Sequence, residues 1–498
     1  MASMDMDMLS RLTDYSVDDA ENIMDVRTEK IDPIVSSAYR YTFRLDTSAY
    51  LDKNTMLLFK CKAKDGTVSA ANCRLNCFNG GLGAVKDVTV KCGDFVLQKL
   101  HQVNEWATLN HLYSLTPEVQ NKKLSSYLQN GLSYEVLNAQ GTPVADNVGV
   151  IAVDGNKSGI NYGRSDTRAG AAINNHLISN DKSANQLIGI PLGMLIPMLN
   201  TRDLPLFLFS AYKILIEIEF EPDSSLFVNK LGAGAPGAPS ANLAAAEGDI
   251  LFDDVNLLVD YLVFPSRVQE SVREKTQQEG GYMMDFINVE NIQKVLPAAT
   301  ANTEQKQEFR INVINQEVHY IQMTKQFQTY ADNNNKVVLG QRADSCSIES
   351  YQCNINGVDV FNFGFLHNPV EHYNQMSYVL GRDIQVISPY YVADVNIEAS
   401  MISPPPQGIL GKYKPLGIDM RNGEPTIRGG GRMIGDYPVR WIYKRTPHAQ
   451  VNSDIAGTPQ IGQADTSGAN VNFYVGTTRI VNVKSLPSGG MIVNVSDL

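Results

Sequence analysis

Leu187 to Phe220 reads LIGIPLGMLIPMLNTRDLPLFLFSAYKILIEIEF, and its last seven residues decide what kind of structure the chain builds. Ile214, Ile216, Ile218 and Phe220 fall on one face of an extended segment, with Leu215, Glu217, Glu219 and Glu221 on the other, before Pro222 ends the run. Successive side chains of a strand point to opposite faces, so this period of two is a half-buried β-strand; wound as a helix, the same letters would mix Ile and Glu on every side. Proline, which has no N–H for a ladder, closes it.

Strand patterns continue in both directions. Upstream, Tyr39 to Leu45 alternates apolar and polar residues and Met56 to Cys61 reads as another strand. Val85 to Val90 and Phe95 to Leu100 flank Cys92-Gly93-Asp94 as a hairpin, where glycine supplies positive φ. Thr116 with Pro117 predicts a helix start and Asn130-Gly131 its end. Residues 138 to 185 are rich in Gly, Asn, Ser and Asp, and such length without periodicity is either a functional excursion or disorder.

Downstream, Leu231 to Gly248 is built from Gly, Ala, Pro and Ser and reads as a linker. Val255 to Phe264 is almost continuously apolar, as for a strand covered on both faces. Ser266 with Gln269 predicts a capping box for a short helix ending before Gly280-Gly281. Phe309 to Val313 alternates again, and Asn356-Gly357 marks a tight hairpin. Pro- and Gly-rich ground from Pro404 to about Gly468 precedes the last strands, Val471 to Val483 and Met491 to Val495.

Two short features recur in order. Phe43-Arg44-Leu45 matches Phe309-Arg310-Ile311 after 266 residues, and Gly93 matches Gly357 after 264. Duplication would produce this, and so would the general resemblance of alternating strands; either way two similar β domains are required. A length of 498 residues also exceeds what one hydrophobic core usually spans. Many short strands with few helices describe antiparallel sandwiches such as jelly rolls.

Composition narrows the function. A net charge of −11 disfavours a protein whose main task is gripping phosphates, because that requires Lys and Arg to displace counterions. Six cysteines are too few for a disulfide scaffold at this length, which points to a reducing compartment. There is no apolar run of about 18 residues and no signal-like start, so neither a membrane span nor a cleaved leader is expected.

Candidate chemistry fails on spacing. His367 and His372 are five residues apart, not four, and Pro369 lies between them, which argues for a loop after a hairpin and against a zinc-binding helix. Cys73 and Cys77 have no second pair to complete a tetrahedral site. Gly429 to Gly435 follows a Pro-rich loop and opens no periodic helix, so it is a turn and not a pyrophosphate cradle. Trp441, among Arg440, Lys444 and Arg445, reads as a sheet residue with solvated neighbours. Catalytic, cofactor-binding and metal residues are therefore assigned to none, and the chain is expected not to be an enzyme.

One family matches this layout. Ile190-Pro191-Leu192, Leu204-Pro205-Leu206, Tyr212 and Ile214 to Phe220 resemble the closing strands of the first jelly roll in the major capsid proteins of nucleocytoplasmic large DNA viruses, virophages and polinton-like viruses. Leu257 to Val263 resembles the apolar-Asp-Tyr strand with which that family enters its second roll, followed by a charged turn at Arg267 to Lys275. These motifs cover about 60 residues. The N-terminal stretch departs from the large-virus pattern, and the turn after Val263 lacks its run of consecutive charges, which favours the polinton-like or virophage type.

The resemblance implies an all-β chain of two consecutive eight-stranded antiparallel jelly rolls with short helices and long surface loops: residues 1–33 an N-terminal arm, 34–230 the first roll, 231–248 an interdomain linker and 249–498 the second roll. It implies a structural capsid protein that forms homotrimeric, pseudo-hexagonal capsomers in an icosahedral double-stranded DNA virion. The partners implied are neighbouring capsomers, penton and minor capsid proteins and, where there is one, an internal membrane surface; strong direct nucleic-acid binding is not expected. Residues 138–185 and 404–470 become outer loops, the place for a host-receptor contact, with assembly in the reducing cytoplasm or nucleus of the host. The rival reading is a glycan-binding β-sandwich, a virion spike or lectin, for which only Trp106 and Trp441 offer tryptophan platforms. A β-rich glycoside hydrolase is a third, with no carboxylate pair to identify it.

Overall fold

The computed structural model describes residues 25–52, 55–63, 73–75, 80–114, 177–178, 187–200, 204–209, 211–224, 227–230, 243–244, 250–300, 303–327, 348–367, 369–380, 416–421, 427–445, 469–485 and 491–498. Its first half holds β1 (Asp25–Ile31), β2 (Arg40–Arg44), β3 (Met56–Ala63), β4 (Val85–Cys92), β5 (Phe95–Leu100), helix α1 (Val103–Ser114), β6 (Ile188–Pro191), β7 (Ile214–Phe220) and β8 (Ile250–Val263). Antiparallel ladders join β1 to β8, β2 to β7, β3 to β6 and β4 to β5. First pairs with eighth, second with seventh, third with sixth and fourth with fifth, as in one long hairpin rolled up. Cross-pairing of β8 with β3 and of β7 with β4 completes two facing sheets, β1-β8-β3-β6 and β2-β7-β4-β5. This is a jelly roll.

Helix α2 (Ser266–Gln278) leads to β9 (Tyr282–Leu296), β10 (Gln305–Ile311), β11 (Glu317–Phe327), β12 (Ile348–Ile355), β13 (Val358–Asp359), helix α3 (Pro369–Val379), β14 (Leu416–Asp419), β15 (Val439–Arg445) and β16 (Ala469–Ser485). The pairing repeats strand for strand: β9 with β16, β10 with β15, β11 with β14, β12 with β13. Cross-pairs β11–β16 and β12–β15 give the sheets β9-β16-β11-β14 and β10-β15-β12-β13. A further strand, β17 (Met491–Asp497), extends the first of these beside β16. Both recurring sequence features fall on equivalent elements. Phe43 and Phe309 sit on β2 and β10, and Gly93 and Gly357 turn the β4–β5 and β12–β13 hairpins at φ of 59° and 84°.

The alternation of β7 becomes a burial pattern. Ile214, Ile216, Ile218 and Phe220 are buried, while Glu217 is gripped on the outer face by Lys91 (2.8 Å) and Arg40 (3.0 Å). Its equivalent β15 buries Val439, Trp441 and Tyr443, with Arg440 outside on Glu308. The two inner faces form separate apolar cores.

Several boundaries differ from the sequence reading. Asp25–Ile31, assigned to the arm, is an edge strand; its polar letters suit an edge, where charge keeps other chains from pairing. Ile250–Val263, assigned to the second roll, lies between β1 and β3 in the first. Residues 231–248 are thus a connection within the first roll, with Leu243–Ala244 paired to a short strand at Val228–Lys230, and α2 joins the rolls. Residues 404–470 contain β14 and β15 and so are not one outer excursion. No capping box forms at Ser266: Pro265 precedes the helix, and the Gln269 amide donates to the carbonyls of Phe264 and Ser48, 3.0 Å each. Pro369 starts α3 instead of breaking a helix, since its missing N–H is not needed in a first turn. The helix expected from Thr116 to Asn130 lies outside the described residues, as does the excursion from 138 to 185 apart from Leu177–Ile178, which pairs with the short strand Cys73–Leu75.

Gly476 sits on β16 beneath the buried ring of Tyr320, where an added Cβ would lie 2.4 Å from a ring carbon. Gly476→Ala is therefore expected to cost about 1–3 kcal/mol through overpacking, read as a lowered Tm in thermal unfolding.

Candidate functional site at the seam between the rolls

Helix α1 follows β5 after Gln102, which takes a positive φ of 50° to turn the chain. Asn104 Oδ1 accepts the Glu105 backbone N–H at 2.8 Å inside the first turn. This start aims Glu105 out of the first roll and into the β9-β16-β11 sheet of the second. Its Oε2 accepts the Asn472 amide at 2.8 Å and the Thr324 hydroxyl at 3.0 Å. The Tyr474 hydroxyl is shared between the same oxygen (3.2 Å) and the Gln102 carbonyl (3.0 Å). Glu105, Thr324, Asn472 and Tyr474 are all buried. Burial raises the Glu105 carboxyl above its ordinary range, against the pull of its three donors, and raises the Tyr474 hydroxyl as well.

Polar contacts continue along the seam. The Gln98 amide donates to Asn288 Oδ1 at 3.4 Å, Asn291 donates to the His101 carbonyl at 3.3 Å, and Asn110 faces Gln322. Arg479 donates to the Leu97 carbonyl and Tyr212 to that of Met491, each at 3.4 Å. Apolar residues close the gaps: Met284, Phe286, Val289, Tyr320 and Val481 of the second half belong to the core of the first roll. Three donors on one carboxyl oxygen thus lock α1 of the first roll onto a sheet of the second, with donors where a substrate would have to enter.

The other constellations resolve as structure. His319 Nε2 lies 2.7 Å from Thr478 Oγ1, which donates to Glu317 Oε2 at 2.9 Å, and Glu317 accepts the Gly431 N–H at 2.8 Å. The residue types suggest a hydroxyl nucleophile with its base, but Thr478 is fully buried and its proton is committed to the carboxylate. The cluster clasps the turn at 427–431, placing Gly429 in a turn as its spacing suggested. His367 is exposed, whereas His372 is buried with Nε2 on the Leu366 carbonyl, so the two imidazoles do not converge. Among the described residues no group of three His, Cys, Asp or Glu is arranged for a metal, and no helix is long and apolar enough to cross a membrane. Cys61, Cys92 and Cys353 are buried free thiols, with Cys92 pushed up by burial to about 12; Cys73 lies on the short strand Cys73–Leu75, and Cys77 is outside the described residues. Trp441 is a sheet residue stacked on Tyr351 at 5.0 Å, while its neighbour Arg445, expected in solvent, is fully buried and donates to the Pro297 carbonyl at 2.9 Å; Trp106 is buried on α1, so neither tryptophan offers a glycan platform.

Sequence reading missed α1 and Glu105, although a signal exists. Leu100-His101 with Glu105, and Leu366-His367 with Glu371, are the same letters 266 residues apart. Both lead from equivalent hairpins into equivalent helices. Two letters and a gap carry too little information until the topology aligns them.

No protein-family description and no curated protein matches the chain. Solved structures do. A chain of the PBCV-1 virus capsid is 11% identical, aligned over 97% of this chain and 100% of that one, with a TM-score of 0.53. The chain's fold is the double jelly roll of viral major capsid proteins. The mavirus major capsid protein aligns over 95% of this chain and 90% of its own at 10% identity and a TM-score of 0.51. For the Sputnik virophage the values are 95%, 88%, 9% and 0.52. Near-complete coverage on both sides means that both rolls take part in the likeness.

The seam sets a pH dependence. A carboxyl raised in the folded state binds its proton more tightly there than in the unfolded chain, so stability falls as pH rises from the ordinary carboxyl range through the raised value. Glu105→Gln is expected to flatten that fall while keeping an acceptor. Glu105→Ala should cost roughly 1–3 kcal/mol for each stranded donor. Denaturant unfolding across pH, followed by fluorescence of the adjacent Trp106, measures both.

Proposed function

We propose that the chain is the major capsid protein of an icosahedral double-stranded DNA virus and acts as a homotrimeric, pseudo-hexagonal capsomer. The observation that carries this reading is the strand-for-strand repetition of one roll beside another in a single chain. Three copies around a threefold axis present six near-equivalent rolls, a hexagonal outline built from trimers, and closed rings of this kind are what heterologous contacts generate. The fold likeness to the PBCV-1 capsid chain and the mavirus major capsid protein supports it.

In this reading the chain is structural, not enzymatic, and resides in the shell of the virion. Residues before β1 reach neighbouring capsomers or minor capsid proteins, penton proteins fill the vertices, and the long connections between strands carry any receptor contact. A net charge of −11 suits a shell that leaves genome neutralisation to other components.

Purified full-length protein is expected to elute with the mass of three 54.9 kDa chains in light scattering and to show hexagonal particles by negative-stain microscopy. A monomer that binds glycans would overturn the capsomer reading in favour of a lectin.

A further inference from the structure

The chain is acidic, but the outer face of its β2-β7-β4-β5 sheet is not. Ladder register places Arg44 and Lys91 on either side of Leu215, and Lys213 precedes it on the way into β7. The next row holds Glu217, shared by Lys91 and Arg40, beside Thr89 and Lys99. Farther along, Glu219 lies 3.7 Å from Lys86 and Asp87 lies 3.1 Å from His101, so each of these acids has its own partner. Asp46, which follows Arg44, is taken by Arg27 and Ser48, each at 2.7 Å, and Asp94 sits on the hairpin turn. Among the described residues no carboxylate pairs with Arg44, Lys99 or Lys213, and all three are exposed. Cations gathered on one face of a chain of net charge −11 make a place for an anionic partner.

The chain carries such a partner itself. Residues 1–24 hold six carboxylates, Asp5, Asp7, Asp14, Asp18, Asp19 and Glu21, against one cation, Arg11, a net charge of −5. Blocks of like charge of this kind are interaction tails. The segment joins the fold beside the cationic face: Arg27, near the start of β1, donates to Asp46, two residues after Arg44. Fully extended, residues 1–24 reach roughly 80 Å, far more than the width of four strands about 4.8 Å apart. A short tether also keeps these carboxylates at an effective concentration of about the millimolar range at the face, ahead of free anions.

We infer that, in the unassembled chain, residues 1–24 dock on the outer face of their own β2-β7-β4 sheet, with carboxylates against Arg44, Lys91 and Lys213. The contact holds the segment close to the first roll and screens the cationic face from other polyanions. It concerns a single chain, so it stands or falls apart from the capsomer reading. Because the contact is made at an exposed face, it weakens as salt shortens the reach of charge.

Arg11 is the sole tryptic site within the segment, so the rate of cleavage after it measures docking in the full-length chain. Arg44→Ser combined with Lys213→Ser is expected to speed that cleavage about five-fold at an ionic strength of about 0.02 M, and the wild type to reach the same rate at about 0.5 M. A small peptide substrate corrects for the salt response of trypsin itself, and circular dichroism checks that the variant is folded. Equal rates for wild type and folded variant at low salt overturn the docking. Protection lost on dilution to single chains, followed by light scattering, places the segment on another copy and overturns its assignment to its own face. Should the double variant not fold, Asp5→Asn, Asp7→Asn, Asp18→Asn and Asp19→Asn together leave every described strand untouched. Acetylation of Lys213 relative to the exposed Lys306, read by mass spectrometry, is then expected to rise about three-fold at low salt, and an unchanged ratio overturns the docking.

Discussion

A carboxyl group carried by α1 of one roll onto a sheet of the other holds this chain in one shape. Water is gone from around Glu105, so its charge or its proton must be satisfied by protein groups, and these come from β11 and β16 of the other roll. Removing one partner would leave the others unsatisfied, which makes the arrangement intolerant of sliding or rotation at the seam. Two rolls joined only by α2 and an apolar contact could shift by a fraction of a turn. Donors aimed at one oxygen restrict that freedom.

Repetition of one strand topology supplies the near-equivalence, and the differences between the two rolls supply the chain's polarity. Glu105 and Glu371 occupy matching positions at the starts of α1 and α3, but the first is buried across a seam and the second accepts the backbone N–H of His367 at its own helix start. The same element therefore locks a contact between rolls in one half of the chain and closes on its own helix start in the other. Tyr474, Asn472 and Gln322 make the seam polar and specific. A contact within one chain never has to dissolve, so its buried polar groups can be matched one to one.

Much of the architecture was legible in single strands. The alternation in Ile214 to Phe220, the glycine hairpins at Gly93 and Gly357, and the sheet placement of Trp441 all follow from local geometry that the structure reproduces. What escaped reading was membership: Asp25–Ile31 looked like an arm and Ile250–Val263 like the opening of the second roll. A polar edge strand has the composition of a tail. A strand at the centre of a sheet says only that it is covered, not by which neighbours. Pro369 misled for a related reason, since proline breaks a helix interior and begins a helix equally well.

By itself the sequence determined the class of structure, two β sandwiches in tandem, and removed the common catalytic motifs by their spacing, because strand period and ligand spacing are local properties. Only the tertiary structure decided which strands close each roll and that Glu105 is the lock between them. These depend on residues more than 200 positions apart, such as Glu105 with Thr324 and Asn472, meeting at distances near 3 Å. No periodicity along the chain encodes such meetings, because they arise from how whole sheets stack and not from how neighbouring residues alternate.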